Sequence, residues 1–350
     1  MFRRIQKKIK QKLLLLALLT PPLWGGWEGC CFSQDIHFSQ YYSSPLNLNP
    51  ALTGTFDGEC RLTAIDRSQW FTVTTPYQTY GASIEASHIM KKIKGFNLGF
   101  SAYGDKAGDS RFSTLMLNLS LSYIFKLNRD STHILSFGIQ SGVSQRKLDY
   151  TNLSFDNQYN GFYYDPSLNK QEVLARQSRI YPNLHAGINY TFLASDKMHF
   201  TTGFGIYNIT KPQQSFYNEN NIKLDQRFNI HTAVTYNINN HFSLIPSILF
   251  MSQGTYKEFD IGSYFKYALV NMPYMYRAVY LGTWTRAQDA GYIVLGMDYD
   301  NLSISVSYDI NYSNLVPASN AHGGYELSLI YIIKKQITNK NKKRICPEII

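Results

Sequence analysis

Apolar and polar residues alternate along most of the chain in segments of about ten residues. Residues 115–125 are the clearest case, because Leu or an aromatic residue occupies every second position and Asn118, Ser120 and Ser122 lie between them. Residues 181–192 and 303–310 repeat the alternation. A period of two is expected of β-strands with one apolar and one polar face, and no helical period of similar length appears. The pattern therefore predicts an all-β chain.

About fourteen such segments follow one another from Arg61 onwards. The connections after the second, fourth, sixth, eighth and twelfth segments are short, whereas several others are longer, notably residues 148–179, 210–225 and 311–322. Short turns on the periplasmic side and long loops outside are typical of outer-membrane barrels. We predict that residues 61–335 form an antiparallel transmembrane outer-membrane β-barrel of about 14 strands, with both chain ends in the periplasm.

The composition supports a membrane barrel. The 350 residues include 27 Tyr, 21 Phe and 4 Trp, and only 17% of them are charged. Barrels place aromatic side chains in girdles at both membrane interfaces, whereas a soluble core needs fewer rings. A soluble β-sandwich or solenoid is the alternative, but it explains neither the tyrosine surplus nor the lack of a repeat of fixed period.

The net charge of +10 lies at the two ends of the chain. Residues 1–33 and residues 334–350 each carry six basic residues against one acidic residue, so the stretch between them is formally neutral. Nucleic-acid binding relies on Lys and Arg clustered on the folded surface. The distribution therefore argues against a nucleic-acid partner.

Residues 1–33 are predicted to be a cleaved secretory signal peptide. They contain a cationic stretch through Lys12, the apolar run Leu13–Leu19 and small residues before Gln34, and the run is too short to cross a bilayer. Cleavage is expected between residues 33 and 34. Lipid attachment at Cys30 is the alternative, although the residues before it match such a site poorly.

Motifs for catalysis or metal binding are missing from the sequence, which has no CxxC, HExxH, GxGxxG or GxxxxGK[ST] pattern. Its histidines are scattered, and Asp298 and Asp300 are interpreted as turn residues rather than metal ligands. We expect no enzyme activity, no cofactor and no metal.

Residues 35–54, which read DIHFSQYYSSPLNLNPALTG, closely resemble the opening signature of the PorP/SprF family of type IX secretion system outer-membrane proteins. Further matching features are Arg67, Gln69, Trp70, the stretch Phe204 to Phe216, Cys346 and Pro347. The resemblance covers residues 35–350. It departs from the family at Ile36, where relatives often have Pro, and in the last residues, which lack the expected Arg and Phe.

The resemblance implies a barrel without chemistry of its own that works with the type IX export machinery of gliding and protein-secreting bacteria. Expected partners are subunits of that machinery, a secreted surface protein or large adhesin, and outer-membrane lipid. An independent outer-membrane porin or hydrophobic-substrate transporter is the alternative. The inward faces are mostly Ser, Asn, Thr and Gly, which fits a narrow or plugged barrel.

Residues 34–60 form a Pro- and Asn-rich segment without periodicity, predicted to be periplasmic or to plug the barrel. If Phe38, Tyr41 and Tyr42 are exposed, they select a partner; the alternative is packing inside the barrel mouth. The candidate partner-binding residues are His37, Phe38, Gln40, Tyr41, Pro45, Asn49 and Pro50. On the first strand, Arg67 is expected either to pair with Glu85 or Glu326 or to be solvated in the lumen.

Residues 336–350 are predicted to be a basic periplasmic tail. The residues Lys334, Lys335, Lys342, Lys343 and Arg344 are candidates for binding an acidic periplasmic partner, and a solvated tail is the alternative. Cys60 precedes the first strand and Cys346 follows the last, so a disulfide between them is a hypothesis for how the tail folds back onto the rim. An oxidising compartment permits such a bond.

Overall fold

Fourteen antiparallel strands close into one barrel in the computed structural model, and each strand pairs with its neighbours in sequence. The structure describes residues 35–71, 75–90, 95–108, 110–149, 153, 155–168, 176–217, 221–272, 275–313 and 316–334. The strands are β1 (Cys60–Gln69), β2 (Tyr77–Ala86), β3 (Phe96–Ala107), β4 (Phe112–Lys126), β5 (His133–Lys147), β6 (Ser178–Ser195), β7 (Met198–Tyr207), β8 (Arg227–Asn237), β9 (Phe242–Gln253), β10 (Tyr256–Met272), β11 (Met275–Arg286), β12 (Ala290–Tyr299), β13 (Leu302–Asn311) and β14 (His322–Ile333). The predicted outer-membrane barrel of about 14 strands is confirmed.

The barrel closes where β1 pairs with β14. The register runs from Cys60 opposite Ile333 to Gln69 opposite Gly324. Closure pairs the two strand edges that an open sheet would leave exposed to lipid, where unpaired backbone groups are costly. We call the end where β1 begins and β14 ends the termini end, and the opposite end the loop end.

The alternation read from the sequence separates the two faces of the wall. On β4, Leu117, Leu119 and Leu121 point outwards and are exposed, whereas Asn118 and Ser120 point inwards and are buried. This is the reverse of a soluble protein, and it is the arrangement that lipid on the outside requires.

The connections differ between the two ends of the barrel. The longest ones, residues 148–177 and 208–226, lie at the loop end, as expected. Two other connections at that end, residues 254–255 and 287–289, are short turns, which departs from the expectation of longer loops there. Gly254 has φ +56°, a conformation that permits a two-residue hairpin and favours glycine.

The helices of the described residues are short. They are α1 (Pro45–Leu48) and α2 (Val316–Ser319), with 3₁₀ turns at Tyr41–Ser43, Pro50–Leu52 and Asp156–Gln158. Pro45 and Pro50 each start a turn, where the missing N–H of proline costs nothing. Within the described part of the chain, no helix is long and apolar enough to cross a membrane.

Candidate functional site

Residues 35–55, which we call the N-terminal segment, lie inside the barrel. At the loop end, the Asp35 N–H donates to Gln253 Oε1 of β9 at 2.9 Å. At the termini end, the Gly54 N–H donates to Glu85 Oε2 of β2 at 3.0 Å. The segment therefore runs through the lumen from one end to the other before the chain enters β1.

The N-terminal segment is buried, so Phe38 and Tyr41 follow the second of the two alternatives, packing inside the barrel. Phe38 is 2% exposed and Tyr41 is 7% exposed. The other predicted partner-binding residues of the segment lie in the same place, with Gln40, Pro45, Asn49 and Pro50 buried and His37 half-buried. The physical reason is that the strand pattern shows only which residues form the wall. Whether a segment without periodicity is enclosed depends on how fourteen strands close around it.

Aromatic and aliphatic contacts fix the segment against the wall. Phe38 packs with Ile65 of β1, Tyr103 of β3 and Met116 of β4. Tyr42 lies between Tyr264 of β10 and Trp284 of β11, and the ring centroids are 4.9 Å and 5.3 Å apart. These contacts resemble a small protein core placed within the lumen.

The backbone of the segment is held near the loop end by Glu326 of β14. The N–H groups of Ser39 and Gln40 donate to its two carboxylate oxygens at 2.9 Å and 2.7 Å. The Gln40 side chain also donates to Ser307 of β13 at 3.1 Å. Hydrogen bonds to a buried carboxylate are among the stronger ones in proteins, so Glu326 is a principal anchor.

A buried charge cluster surrounds this anchor. It consists of Arg67, Arg286, Glu258, Asp260, Asp309 and Glu326. Arg67 lies 3.2 Å from Asp309 and 3.7 Å from Glu326, the second of the two partners considered for it. The cluster contains four carboxylates and two guanidinium groups, so its formal charge is negative.

Arg286 of β11 is the centre of the charge cluster. Its Nε lies 3.5 Å from both Glu258 and Asp260 of β10, and its side chain is 3% exposed. Its Nη2 donates to Ser39 Oγ at 2.9 Å, and that hydroxyl in turn donates to Asp309 at 2.7 Å. One guanidinium group thus joins the wall to the N-terminal segment.

A second anchor holds the segment at the termini end. Glu85 accepts two bonds from Arg61 at 2.8 Å in addition to the Gly54 N–H, so Arg61 rather than Arg67 is its partner. The hydroxyl oxygens of Thr53 and Ser120 are 2.6 Å apart. Both ends of the segment are therefore fixed by lumen-facing polar side chains.

Between the anchors, the segment lies on a row of wall glycines. Gly138 of β5 is opposite Gly187 of β6, which is opposite Gly205 of β7. A Cβ at Gly138 would lie 2.3 Å from the Pro50 carbonyl, and a Cβ at Gly187 would lie 1.9 Å from Asn49 Oδ1. Glycine is needed here because another backbone approaches the strands closely.

Sequence reasoning missed several residues of this site, namely the glycine row and Arg227, Glu258, Asp260 and Arg286. Arg227 of β8 donates to the carbonyl oxygens of Ile36 and Asn47 at 2.9 Å and 3.0 Å. Two sequence signals could have indicated these residues. One is a charged residue at an inward position among Ser and Asn residues, and the other is a glycine within a strand.

A cavity of about 230 Å³ lies beside the segment, towards the termini end. Its lining includes Tyr42, Leu48, His231, Ser247 and Tyr264. Among the described residues, no group of His, Cys, Asp and Glu side chains is arranged to hold a metal ion. The arrangement binds and positions a peptide segment.

The tail candidates are mostly outside the described residues. Lys334 is exposed just after β14, whereas Lys335, Lys342, Lys343, Arg344 and Cys346 lie outside the described part, as does the predicted signal peptide. Cys60 begins β1 and is half-buried. The Cys60–Cys346 disulfide therefore stays a prediction.

The loop end carries an exposed aromatic hairpin within residues 148–177. Tyr159 and Tyr164 form a β-bridge, and between them Phe162 is 90% exposed and Tyr163 is 63% exposed. Large aromatic side chains are rarely this exposed unless they contact a partner or a membrane.

At low sequence identity, the chain is similar to several solved structures, among them two toluene transporters and a monoaromatic hydrocarbon channel. The Ralstonia pickettii toluene transporter TbuX has 9% identity and a TM-score of 0.49, covering 83% of this chain and 92% of its own. The CymD monoaromatic hydrocarbon channel has 9% identity and a TM-score of 0.47, and the match covers 84% of this chain and 93% of the channel. The Pseudomonas putida toluene transporter TodX has 11% identity and a TM-score of 0.46, and the match covers 82% of this chain and 92% of the transporter.

Sequence comparison gives the family. Among curated proteins, none matches the chain significantly. The family model described as type IX secretion system membrane protein PorP/SprF matches residues 31–331, which include every strand except the last two residues of β14. The chain therefore belongs to the PorP/SprF family of type IX secretion system membrane proteins.

Proposed function

We propose that this protein is a non-enzymatic outer-membrane component of the type IX secretion and gliding machinery. It supports the export or surface attachment of secreted proteins such as large adhesins. In this proposal residues 1–33 are removed as a signal peptide, the termini end faces the periplasm and the loop end faces outwards. The observation that carries the proposal is the N-terminal segment, which fills the lumen of a barrel from a secretion family.

The filled lumen favours a partner-binding role over a protein conduit. Gln40 and Asn49 of the segment and Ser120 and Gln140 of the wall are fully buried, so solvent is excluded where segment and wall meet. In the part of the chain that the structure describes, the segment leaves little room for a secreted polypeptide beside it. The protein then acts on its clients through its two ends.

The same lumen argues against transport of hydrophobic substrates. Most inward positions below the segment are polar side chains, such as Ser101, Asn118 and Ser305. An apolar substrate would lose contacts with lipid and gain few with such a wall. We therefore retain the secretion role.

Affinity purification tests the proposed function. A short tag inserted after Arg111, an exposed residue of the β3–β4 connection, leaves the lumen and the aromatic hairpin intact. Gentle extraction from the native outer membrane should recover secretion-machinery subunits or one large surface protein. Recovery of the barrel alone, from membranes in which the machinery is intact, would contradict the proposal.

The aromatic hairpin is expected to contribute to partner binding. Replacing Phe162 and Tyr163 together with alanine should lower the recovery of the outer partner by about tenfold, because exposed aromatic residues are frequent hot spots of interfaces. Phe71→Ala, at another exposed aromatic residue of the loop end, is the matched control. Equal recovery with the double variant and the wild type would remove the hairpin from the interface.

The predicted disulfide can be tested separately. We expect the wild-type protein to migrate differently in denaturing gels with and without reductant, because a Cys60–Cys346 bond closes a large loop and compacts the denatured chain. Cys60→Ser should migrate like the reduced wild type under both conditions. Identical non-reducing mobility of Cys60→Ser and the wild type would show that the bond does not form.

A further inference from the structure

Outside the aromatic and aliphatic contacts of Phe38 and Tyr42, the wall beneath the N-terminal segment is built mostly from polar side chains. Buried inward-facing residues include Ser101, Asn118, Ser120, Ser136, Gln140, Ser144, Asn183, Ser305, Ser307 and Ser328. A core that never separates from its surroundings is normally apolar, because buried polar groups stabilise only while they are paired. Hydroxyl and amide groups, by contrast, remain satisfied when water replaces the segment. The wall is therefore suited to a water-filled lumen.

The barrel also closes without help from the segment. Each strand pairs only with its two neighbouring strands, and no described residue of 35–55 belongs to the sheet. The segment is held by side-chain bonds such as those of Glu326 and Glu85, and it joins the wall through residues 56–59 at the termini end. It can leave in that direction while every strand pair remains intact.

The charged side chains of the wall give the emptied lumen a preference for cations. The charge cluster places the carboxylates of Glu258, Asp260, Asp309 and Glu326 on the inner face near the loop end, against the guanidinium groups of Arg67 and Arg286. With Asp105, Arg146 and Arg227, which also face the lumen near this end, five carboxylates remain against four guanidinium groups. Rings with excess carboxylate favour cations in channels. Barrels of eight strands are filled by their own side chains and those of 16–18 strands hold aqueous channels, so a fourteen-stranded lumen lies near the aqueous class.

We propose that the barrel is a latent aqueous channel for small hydrophilic cations and that its own N-terminal segment closes it. This inference goes beyond the secretion role. It concerns the lumen of the purified barrel, so it stands or fails independently of which partners the ends bind.

Release of the segment after folding tests the proposal. A specific protease site inserted after the exposed Asp57 allows the chain to fold intact and then to be cut in planar bilayers. Denaturant below the unfolding range of the barrel then removes the fragment. We expect silence before cutting, and afterwards stable currents with a reversal potential in a KCl gradient that shows several-fold preference for K⁺. A folded barrel that stays silent after release, or a fragment that cannot be released, would overturn the proposal.

A reversible lock provides the control. Thr53→Cys with Ser120→Cys, in a Cys60→Ser, Cys346→Ser background, places two thiols where the hydroxyl oxygens are 2.6 Å apart. The cut and oxidised barrel should stay silent, and reductant should open it. Currents of equal size in both states would show that conduction does not depend on the segment.

A double substitution tests the origin of the cation selectivity. Glu258→Gln with Asp260→Asn removes two carboxylates from the charge cluster while keeping the side-chain shapes. The released barrel should then lose most of its preference for K⁺ over Cl⁻. Unchanged selectivity would contradict the assignment of the cation preference to this cluster.

Discussion

Replacing Arg286 with methionine is expected to lower the free energy of unfolding of the barrel by about 3–5 kcal/mol. The guanidinium group is almost fully buried and lies within 3.5 Å of both Glu258 and Asp260. Its removal leaves these carboxylates without a compensating charge and also breaks the bond to Ser39. Urea unfolding of the reconstituted barrel, followed by its heat-dependent gel mobility, measures the change.

Two further variants make this prediction specific. Arg277→Met removes an arginine from the same strand, but Arg277 lies over the Tyr299 ring, away from the charge cluster, and its loss should cost far less. Adding Glu258→Gln and Asp260→Asn to Arg286→Met should restore part of the stability, because the unpaired charges are then gone. Equal losses for Arg286→Met and Arg277→Met would contradict the role given to the cluster.

A second large effect is expected from Gly138→Val, which should dislodge the N-terminal segment and leave the barrel closed. The new Cβ would lie 2.3 Å from the Pro50 carbonyl and 2.4 Å from the Ala51 nitrogen, so the segment backbone must move. Overpacking of this kind costs about 1–3 kcal/mol. Hydrogen exchange of the amides in residues 35–55 should therefore accelerate by up to about 100-fold, whereas exchange in the strands changes little.

Gly291→Val is the control for this experiment. Gly291 also lies within a strand, β12, but a Cβ there meets its nearest neighbour at 3.6 Å, which is an ordinary contact. It should leave the exchange of the segment unchanged. Slow exchange of the segment in Gly138→Val would mean that the glycine row is not what seats Asn49 and Pro50.

The wall of the barrel could be predicted from the sequence because the alternation of apolar and polar residues is a local property of each strand. A lipid-facing strand needs an apolar residue at every second position, so Leu117, Leu119 and Leu121 reveal both the strand and its outer face. Strand number followed from counting such segments. The two turns at the loop end, residues 254–255 and 287–289, were not recognised as short, because strand ends are read from alternation only to within a few residues.

The site was predictable only in part. The resemblance of residues 35–54 to the PorP/SprF signature pointed to this segment, and the family match agrees with it. The sequence left open whether Phe38 and Tyr41 are exposed or packed inside the barrel, because residues without periodicity carry no sign of which surface covers them. Arg286 and Glu258 appeared as single charges within strands, and nothing in their spacing brings them together.

The sequence by itself determined the all-β class, the membrane-facing side of the most regular strands and the family, since alternation and a linear signature are properties of neighbouring residues. Only the tertiary structure decided what fills the lumen. Closing fourteen strands brings β1, β10, β11, β13 and β14 around one interior, where Arg286, Asp309 and Glu326 meet Ser39 across more than 200 residues of chain. Such long-range contacts arise from closure, and no local pattern records them.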